Sequence, residues 1–372
     1  MVSENINSRQ LAHYAVSRSL FVPQSLVSAI DTLGYVQADP IRAPARAQDL
    51  ILRHRVKNYR IDDLEKKYPD MDVAEDMLHN YGFFPHRHLP LLYPRKLSPR
   101  WQAFIAEHQP LRRKVLDYLH ENIHVHPREI ERVLGMGRRT NGWGGNSSAT
   151  TMMLESLHRE GRAAVAHRES GVRVYGLARR LNTLEKLSPT QRADGLIRLL
   201  VNLYAPLPQR SLTQLISMMG HYKPEADYLK RIELMVSRQI LRRELIEGLV
   251  YIWPADENAV FAQAAVEGTP AGVKLLAPFD PIVWDRRRFE HLWGWAYRFE
   301  AYTPPAKRKL GYYALPMLWR ENIIGWANIG VTGNDNNKLS IDIGYVTKKP
   351  REVAFREALD EELERFRLFL RY

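Results

Sequence analysis

Between residues 111 and 180 the chain carries three helical patterns followed by a hairpin, and the same order returns from 195 to 253. In the first run, "LRRKVLDYLHEN" and "HPREIERVLG" have helical spacing, and "NSSATTMMLESLHREG" reads as a third helix capped by Asn146 or Ser147. Such short polar side chains satisfy the free N–H groups of a first turn. "RAAVAHRESGVRVYGL" then alternates apolar and polar residues on both sides of "RESG", which predicts a hairpin. The second run reads "GLIRLLVNLYAPL", "SLTQLISMMG", "PEADYLKRIELMVSRQ" and "ILRRELIEGLVYIWP", with Leu229, Ile232, Met235 and Val236 as a core-facing stripe. Three helices closed by a hairpin outline a winged helix-turn-helix whose third helix is the candidate groove reader. Two plain three-helix bundles fit the same pattern.

The flanking regions have different textures. At the amino end, "SRQLAHYAVSRSL" predicts a helix capped by Ser8, and a second helix ends at Gly34 before a short β-type segment. The chain must turn at Asp39-Pro40, because a residue before proline avoids the helical region; "AQDLILRHRV" resumes a helical pattern. Beyond the small-residue stretch "ADENAVFAQAAVEGTPAG" come β-type runs, two of them joined by the polar loop "VTGNDNNK", and a periodic helix closes the chain. The expected fold is therefore α+β: tandem winged helix-turn-helix units, a C-terminal β-rich, barrel-like region and a closing helix. The expected domains are 1–108, winged-helix-like and carrying the candidate site; 109–185 and 186–265, the further winged helices; and 266–372, the β-rich region.

Lysine plus arginine outnumber aspartate plus glutamate by 54 to 42, a formal net charge of +12, which favours polyanionic partners and nucleic acid first among them. The absence of cysteine rules out disulfides, iron–sulfur clusters and thiol nucleophiles. No apolar run reaches the length of a membrane span, and "MVSENINSRQ" lacks the layout of a secretory signal, so a cytoplasmic protein without membrane partners is expected. The pairs His86/His88 and His124/His126 lack a third ligand at zinc-type spacing, and neither a nucleophile elbow nor a dinucleotide fingerprint is present. No metal and no cofactor are expected.

In "GYVQADPIRAPARAQDLILRHR" an amide and a carboxylate stand two positions apart among arginines. In extended backbone Gln37 and Asp39 share a face, roughly 6 to 7 Å apart. The carboxylate can stabilise a cation or accept a proton from water, and the amide can hold that water. A plain turn initiator at Asp39 and a plain strand residue at Gln37 are the competing readings. Arg42, Arg46 and Arg55 present guanidinium forks suited to phosphate, with Arg53 and Lys57 beside them. Arg138 and Arg139 in "GMGRRTNGWGGNSS" form a second candidate phosphate contact. The aromatic stretch "FEHLWGWAYRFEAY" is read as packing rather than a base-stacking platform.

The block "LAPFDPIVWDRRRFEHLWGWAYRFEAYTPPAKRKLGYYALPMLWRENIIGW" closely resembles the signature of the AlkZ and YcaQ family of winged-helix DNA glycosylases. "VQADPI" resembles the family's Gln-x-Asp form, and "EDMLHNYGFFP" its Glu, His and Pro pattern at Glu75, His79 and Pro85. The resemblance implies a monofunctional, monomeric glycosylase acting on double-stranded DNA. Its substrates would be cationic N-alkylated purines of the 7-methylguanine and 3-methyladenine type and, in the Gln-x-Asp branch, nitrogen-mustard-type interstrand crosslinks. It further implies catalysis by Gln37 and Asp39, and DNA contact by the hairpin at Thr332, Gly333 and Asn334. This hairpin differs from the basic one of the YcaQ-like form, with Lys338 its one cation. A non-catalytic winged-helix regulator or DNA-binding adaptor explains the charge equally well, but not the Gln-x-Asp pair outside the helix-turn-helix.

Overall fold

The computed structural model describes residues 6–134, 138–140, 146–257, 272–332 and 338–370. Helix α1 (Ser8–Ser19) begins one residue earlier than Ser8 as a cap would require: Asn7 accepts from the Gln10 backbone, and the Gln10 side chain returns the bond to the Asn7 N–H. Asn7 wins because only that register lets both bonds close. Helix α2 (Leu26–Leu33) is capped by Ser25 and ends at Gly34 in the left-handed region, φ 74°. That turn delivers the chain into β1 (Val36–Gln37). Strand β1 pairs antiparallel with β3 (Tyr81–Pro85), which pairs in turn with β2 (Val73–Met77), giving the order β1-β3-β2. Helix α3 (Ala47–Leu52) follows β1, and all six of its residues are buried.

The two repeated runs adopt the same element order. Helices Gln109–Glu121, Pro127–Leu134 and Ala149–Glu160 lead to strands Ala163–Glu169 and Val172–Leu177. Helices Pro189–Tyr204, Gln209–Met218 and Tyr228–Ser237 lead to Leu241–Ile246 and Leu249–Pro254. Both hairpins turn on two residues of positive φ, Ser170 (49°) with Gly171 (82°) and Glu247 (47°) with Gly248 (88°). Positive φ at both central residues matches the right-handed twist of the flanking strands. The cap of Ala149–Glu160 is Ser148, not Asn146 or Ser147, because residues 146–148 pair as a strand with 138–140 and the free helical N–H groups begin only beyond them. In the stripe of Tyr228–Ser237, Ile232 and Met235 are buried, whereas Leu229 is exposed.

The C-terminal strands Val273–Leu275, Leu315–Trp319, Asn322–Thr332 and Lys338–Tyr345 form an antiparallel sheet in that order. Among the described residues its outer strands do not meet, so the region is an open sheet rather than barrel-like. The long helix Val353–Leu370 supplies Phe355, Phe366 and Phe369 to the core it shares with Leu275 and Leu315. A covering helix buries a sheet face without closing it, and so removes the need for a barrel.

Among the described residues, the segment 109–185 builds its buried core from its own residues, around Leu111, Val115, Ile130, Met153, Leu157 and Tyr175, with Phe104 packed against it. The rest of the first 108 residues are divided among the others. Leu11, Tyr14, Phe84 and Leu92 pack with Leu196, Leu200 and Trp253. Ile30, Val36, Leu50 and Phe83 pack with Leu275, Leu315 and Phe366, and Val16 and Leu20 with Phe289 and Tyr297.

Candidate active site

The register of β1 against β3 places Gln37 opposite Gly82 and Val36 opposite Phe83. Gly82 is required there by space. A Cβ would stand 2.5 Å from the Val36 carbonyl oxygen and 2.6 Å from the Tyr35 ring. Tyr35 itself donates through its hydroxyl to the Tyr81 carbonyl at 3.1 Å, and the Ala38 N–H donates to the same carbonyl at 2.9 Å. The segment carrying the amide and the carboxylate is thus fixed along its length.

Gln37 is buried, and its Oε1 accepts from Asn80 Nδ2 at 3.3 Å. Asn80 sits in the turn between β2 and β3, so that turn sets the orientation of the amide. Asp39 lies two residues beyond β1 and is partly exposed. Its Oδ1 accepts from the Ile41 N–H at 2.8 Å, and its own N–H donates to Gln48 Oε1 at 3.3 Å. Asp39 therefore does initiate a turn, yet among the described residues its Oδ2 has no hydrogen-bond partner. Burial raises the Asp39 pKa above the ordinary carboxylate value, against the opposing effect of the Ile41 N–H.

Two carboxylates brace this segment from behind. Glu65 is ion-paired with Arg46 and accepts from Gln48 Nε2 at 3.1 Å. Glu75 accepts from Arg168 Nε at 3.0 Å and from the Tyr68 hydroxyl at 2.9 Å. Arg168 also reaches Glu65 at 3.9 Å, so the hairpin of the 109–185 unit is clasped onto the site. Burial alone would raise the Glu75 pKa; Arg168 overcomes it and holds the group below its usual value. His79 is buried against Tyr35, Tyr204 and Trp284, with Nε2 and the Tyr204 hydroxyl 3.0 Å apart. Burial lowers its pKa to about 3, so the ring is neutral. Pro85 ends β3, buried.

The arginines separate into different roles. Arg42 is exposed, with an ion pair to Asp62 at 2.8 Å. Arg46 is engaged by Glu65 and packs against the Gly171 turn, which occupies the guanidinium expected to meet phosphate. Arg55 cannot contact DNA: it is fully buried and bonded to Asp280 through Nη1 at 2.8 Å and Nη2 at 3.0 Å. The Arg53 side chain is also largely buried, paired with Glu362 and stacked 4.0 Å from the Phe366 ring centroid. Arg138 and Arg139 lie on the strand facing Ser148 and Ser147. Thr332 ends strand Asn322–Thr332, while Gly333 and Asn334 lie outside the described residues.

A neighbour of Asp39 comes from far along the chain. Ala38 and Ile41 pack in the same core as Phe279, Phe299 and Tyr313. Phe299 is in edge contact with Phe279 at 5.2 Å, Tyr313 at 5.1 Å and Tyr302 at 6.0 Å between ring centroids. The Tyr313 hydroxyl is buried without a hydrogen-bond partner among the described residues. Desolvation, and after it the negative charge of Asp39, raises the pKa of both Tyr302 and Tyr313. No local spacing pointed to these two tyrosines, because they join Asp39 only through the core between the chain's two ends.

An amide at the end of a braced strand and a half-buried carboxylate two residues beyond it, beside an aromatic wall, suit hydrolysis through a cationic centre. Residues 30–369 match the family model for AlkZ-like DNA glycosylases, and the chain belongs to that family. Its fold is similar to that of the DNA glycosylase AlkZ of Streptomyces sahachiroi, with a TM-score of 0.63 over 98% of this chain and 97% of that one at 15% sequence identity. DNA is thus the substrate class and repair the setting, and no helix among the described residues is long and apolar enough to cross a membrane.

Proposed function

We propose that the protein is a monofunctional glycosylase that hydrolyses the N-glycosidic bond of cationic N-alkylated purines, with Asp39 and Gln37 as its catalytic pair. The observation that carries this reading is the Asp39 carboxylate, half-buried with one oxygen committed to its own turn and the other without a hydrogen-bond partner among the described residues, two residues from an amide fixed by Asn80. An N7- or N3-alkylated purine already carries positive charge and leaves without prior protonation. As the bond breaks, charge moves to the sugar. A carboxylate about 4 Å from that charge gains roughly 1 kcal/mol in water and about 4 kcal/mol at an effective dielectric near 20, so partial burial of Asp39 strengthens its effect. Asn80 occupies Gln37 Oε1 and leaves the Nε2 donor to hold the attacking water, whose proton passes to Asp39 Oδ2.

Arg42, Arg138 and Arg139 and the hairpin at Thr332, Gly333 and Asn334 are the proposed DNA contacts, with the two repeated units acting as winged helices on duplex DNA. The protein acts as a cytoplasmic monomer, and unhooking of mustard-type crosslinks extends the same chemistry to a larger leaving group. Timed release of 7-methylguanine from a duplex oligonucleotide tests the reading. Asp39→Asn and Gln37→Ala are expected to retain DNA binding and to lose excision by about 10²-fold or more. Wild-type rates in both variants would refute the assignment.

A further inference from the structure

Tyr302 is 77% exposed, a large ring whose face is spent on no core, and it lies on the loop that follows the Phe299 contact. Its partner Phe299 also touches Tyr313, which packs in one core with Ala38 and Ile41 on either side of Asp39. The buried Tyr313 hydroxyl, without a partner among the described residues, lies in the same wall. The wall thus sets one exposed ring, Tyr302, over buried and part-buried aromatics that pack beside the Asp39 segment.

We propose that Tyr302 is a specificity-determining residue whose ring face receives the cationic purine at Asp39. The inference rests on the reading of Asp39 given above. A ring quadrupole attracts a cation lying over its face, and more strongly when water is excluded between the two. An N7-alkylated purine is flat and carries delocalised positive charge, whereas an undamaged purine is neutral, so the same ring distinguishes damaged from normal bases. The attraction also has a direction in time. When the C1′–N9 bond breaks, its electron pair passes to the purine, which becomes neutral while the positive charge appears on the sugar beside Asp39. The stacking contact is strongest before reaction and fades as the bond breaks, whereas the Asp39 contact grows. Binding energy larger in the ground state than in the transition state lowers KM and lowers kcat with it, so removing the contact raises KM and does not slow the bound reaction. Tyr302 therefore governs KM and Asp39 governs kcat, and the weakened contact with the neutral base assists its release.

The test is steady-state excision of 7-methylguanine from duplex DNA. It is paired with the affinity for a duplex holding N7-methylguanine on a hydrolysis-resistant 2′-fluoroarabinose, and for the same duplex with guanine. Tyr302→Leu is expected to raise KM and the Kd for the lesion duplex about tenfold, within the range of a desolvated cation–π contact. Its kcat should not fall, and should rise by less than KM does, while its Kd for undamaged duplex should not move. Tyr302→Phe, which keeps the ring, restores the wild-type KM. A leucine variant with unchanged KM, or with a loss in kcat instead, overturns the assignment of Tyr302 while Asp39→Asn still reports on the catalytic reading. A wild-type protein that leaves 7-methylguanine in place overturns both.

Discussion

Replacing Arg55 by methionine strands the Asp280 carboxylate in the core. Arg55 donates to the Ser19 carbonyl at 2.8 Å, the Ile51 carbonyl at 2.7 Å, and both oxygens of Asp280 at 2.8 and 3.0 Å. Both side chains are fully buried. The pair therefore ties the end of α1 and the body of α3 to the C-terminal region. Breaking a buried pair by removing one partner costs about 3 to 5 kcal/mol, because the remaining charge is uncompensated. Among the described residues, the Asp280 carboxylate would keep only the hydrogen bond from the Ile282 N–H, at 3.1 Å. A second substitution, Asp280→Asn, removes the stranded charge while preserving shape. The double variant Arg55→Met/Asp280→Asn should recover at least about 1 to 2 kcal/mol of the loss, since a neutral buried polar group costs less than a charged one.

Urea unfolding followed by circular dichroism measures these differences, and duplex affinity across a salt series measures the second consequence. A phosphate-contacting cation changes the slope of log Kobs against log salt by about one when removed. Arg55→Met should leave that slope unchanged, whereas the exposed Arg42, replaced by alanine, should flatten it. The reasoning is refuted if Arg55→Met unfolds at the wild-type urea concentration and flattens the salt slope, because Arg55 would then face DNA and not Asp280.

Excision should fall off on the acid side at a pH above the ordinary aspartate range, because burial raises the Asp39 pKa and only the ionised form stabilises the sugar cation; a pH–rate profile flat down to about pH 4 contradicts this. His79 is held neutral, burial lowering its folded pKa to about 3 from the ordinary 6.5. Between those values the unfolded chain binds the proton that the folded one refuses, so stability falls with falling pH at about 1.4 kcal/mol per unit. His79→Leu should flatten that slope in acid-unfolding experiments, and an identical slope would remove His79 from the account. Gly82→Ala drives a methyl group into the Val36 carbonyl and the Tyr35 ring. It should cost about 1 to 3 kcal/mol through overpacking and reduce excision by shifting Gln37; full thermal stability and activity would show that β1 is less constrained than its contacts imply.

What could be read from the residues alone follows the range of the interactions involved. Gly34, the Ser170-Gly171 turn and the succession of three helices and a hairpin are set by neighbours a few positions away, and the periodicity exposes them. The Gln37/Asp39 motif is equally local. The environment that gives the motif its chemistry is not: Asn80 approaches across β3, and Phe279, Phe299 and Tyr313 enter through a core shared with Ala38 and Ile41. The arginines show the same limit. Arg42 and Arg55 are indistinguishable by composition, yet one is exposed beside Asp62 and the other is locked to Asp280, 225 positions away. Local context did carry one usable sign. Arg53 and Arg55 follow a helix buried on every side, and a cation at the end of such a helix needs an internal anion. The acid in "APFDPIVW", flanked by apolar residues, is the natural candidate. The same logic leaves Arg42 in the proposed phosphate set: it is itself exposed, and its half-buried Asp62 partner, 2.8 Å away, can be exchanged for phosphate at small cost, as ion pairs near the surface contribute about 0 to 1 kcal/mol.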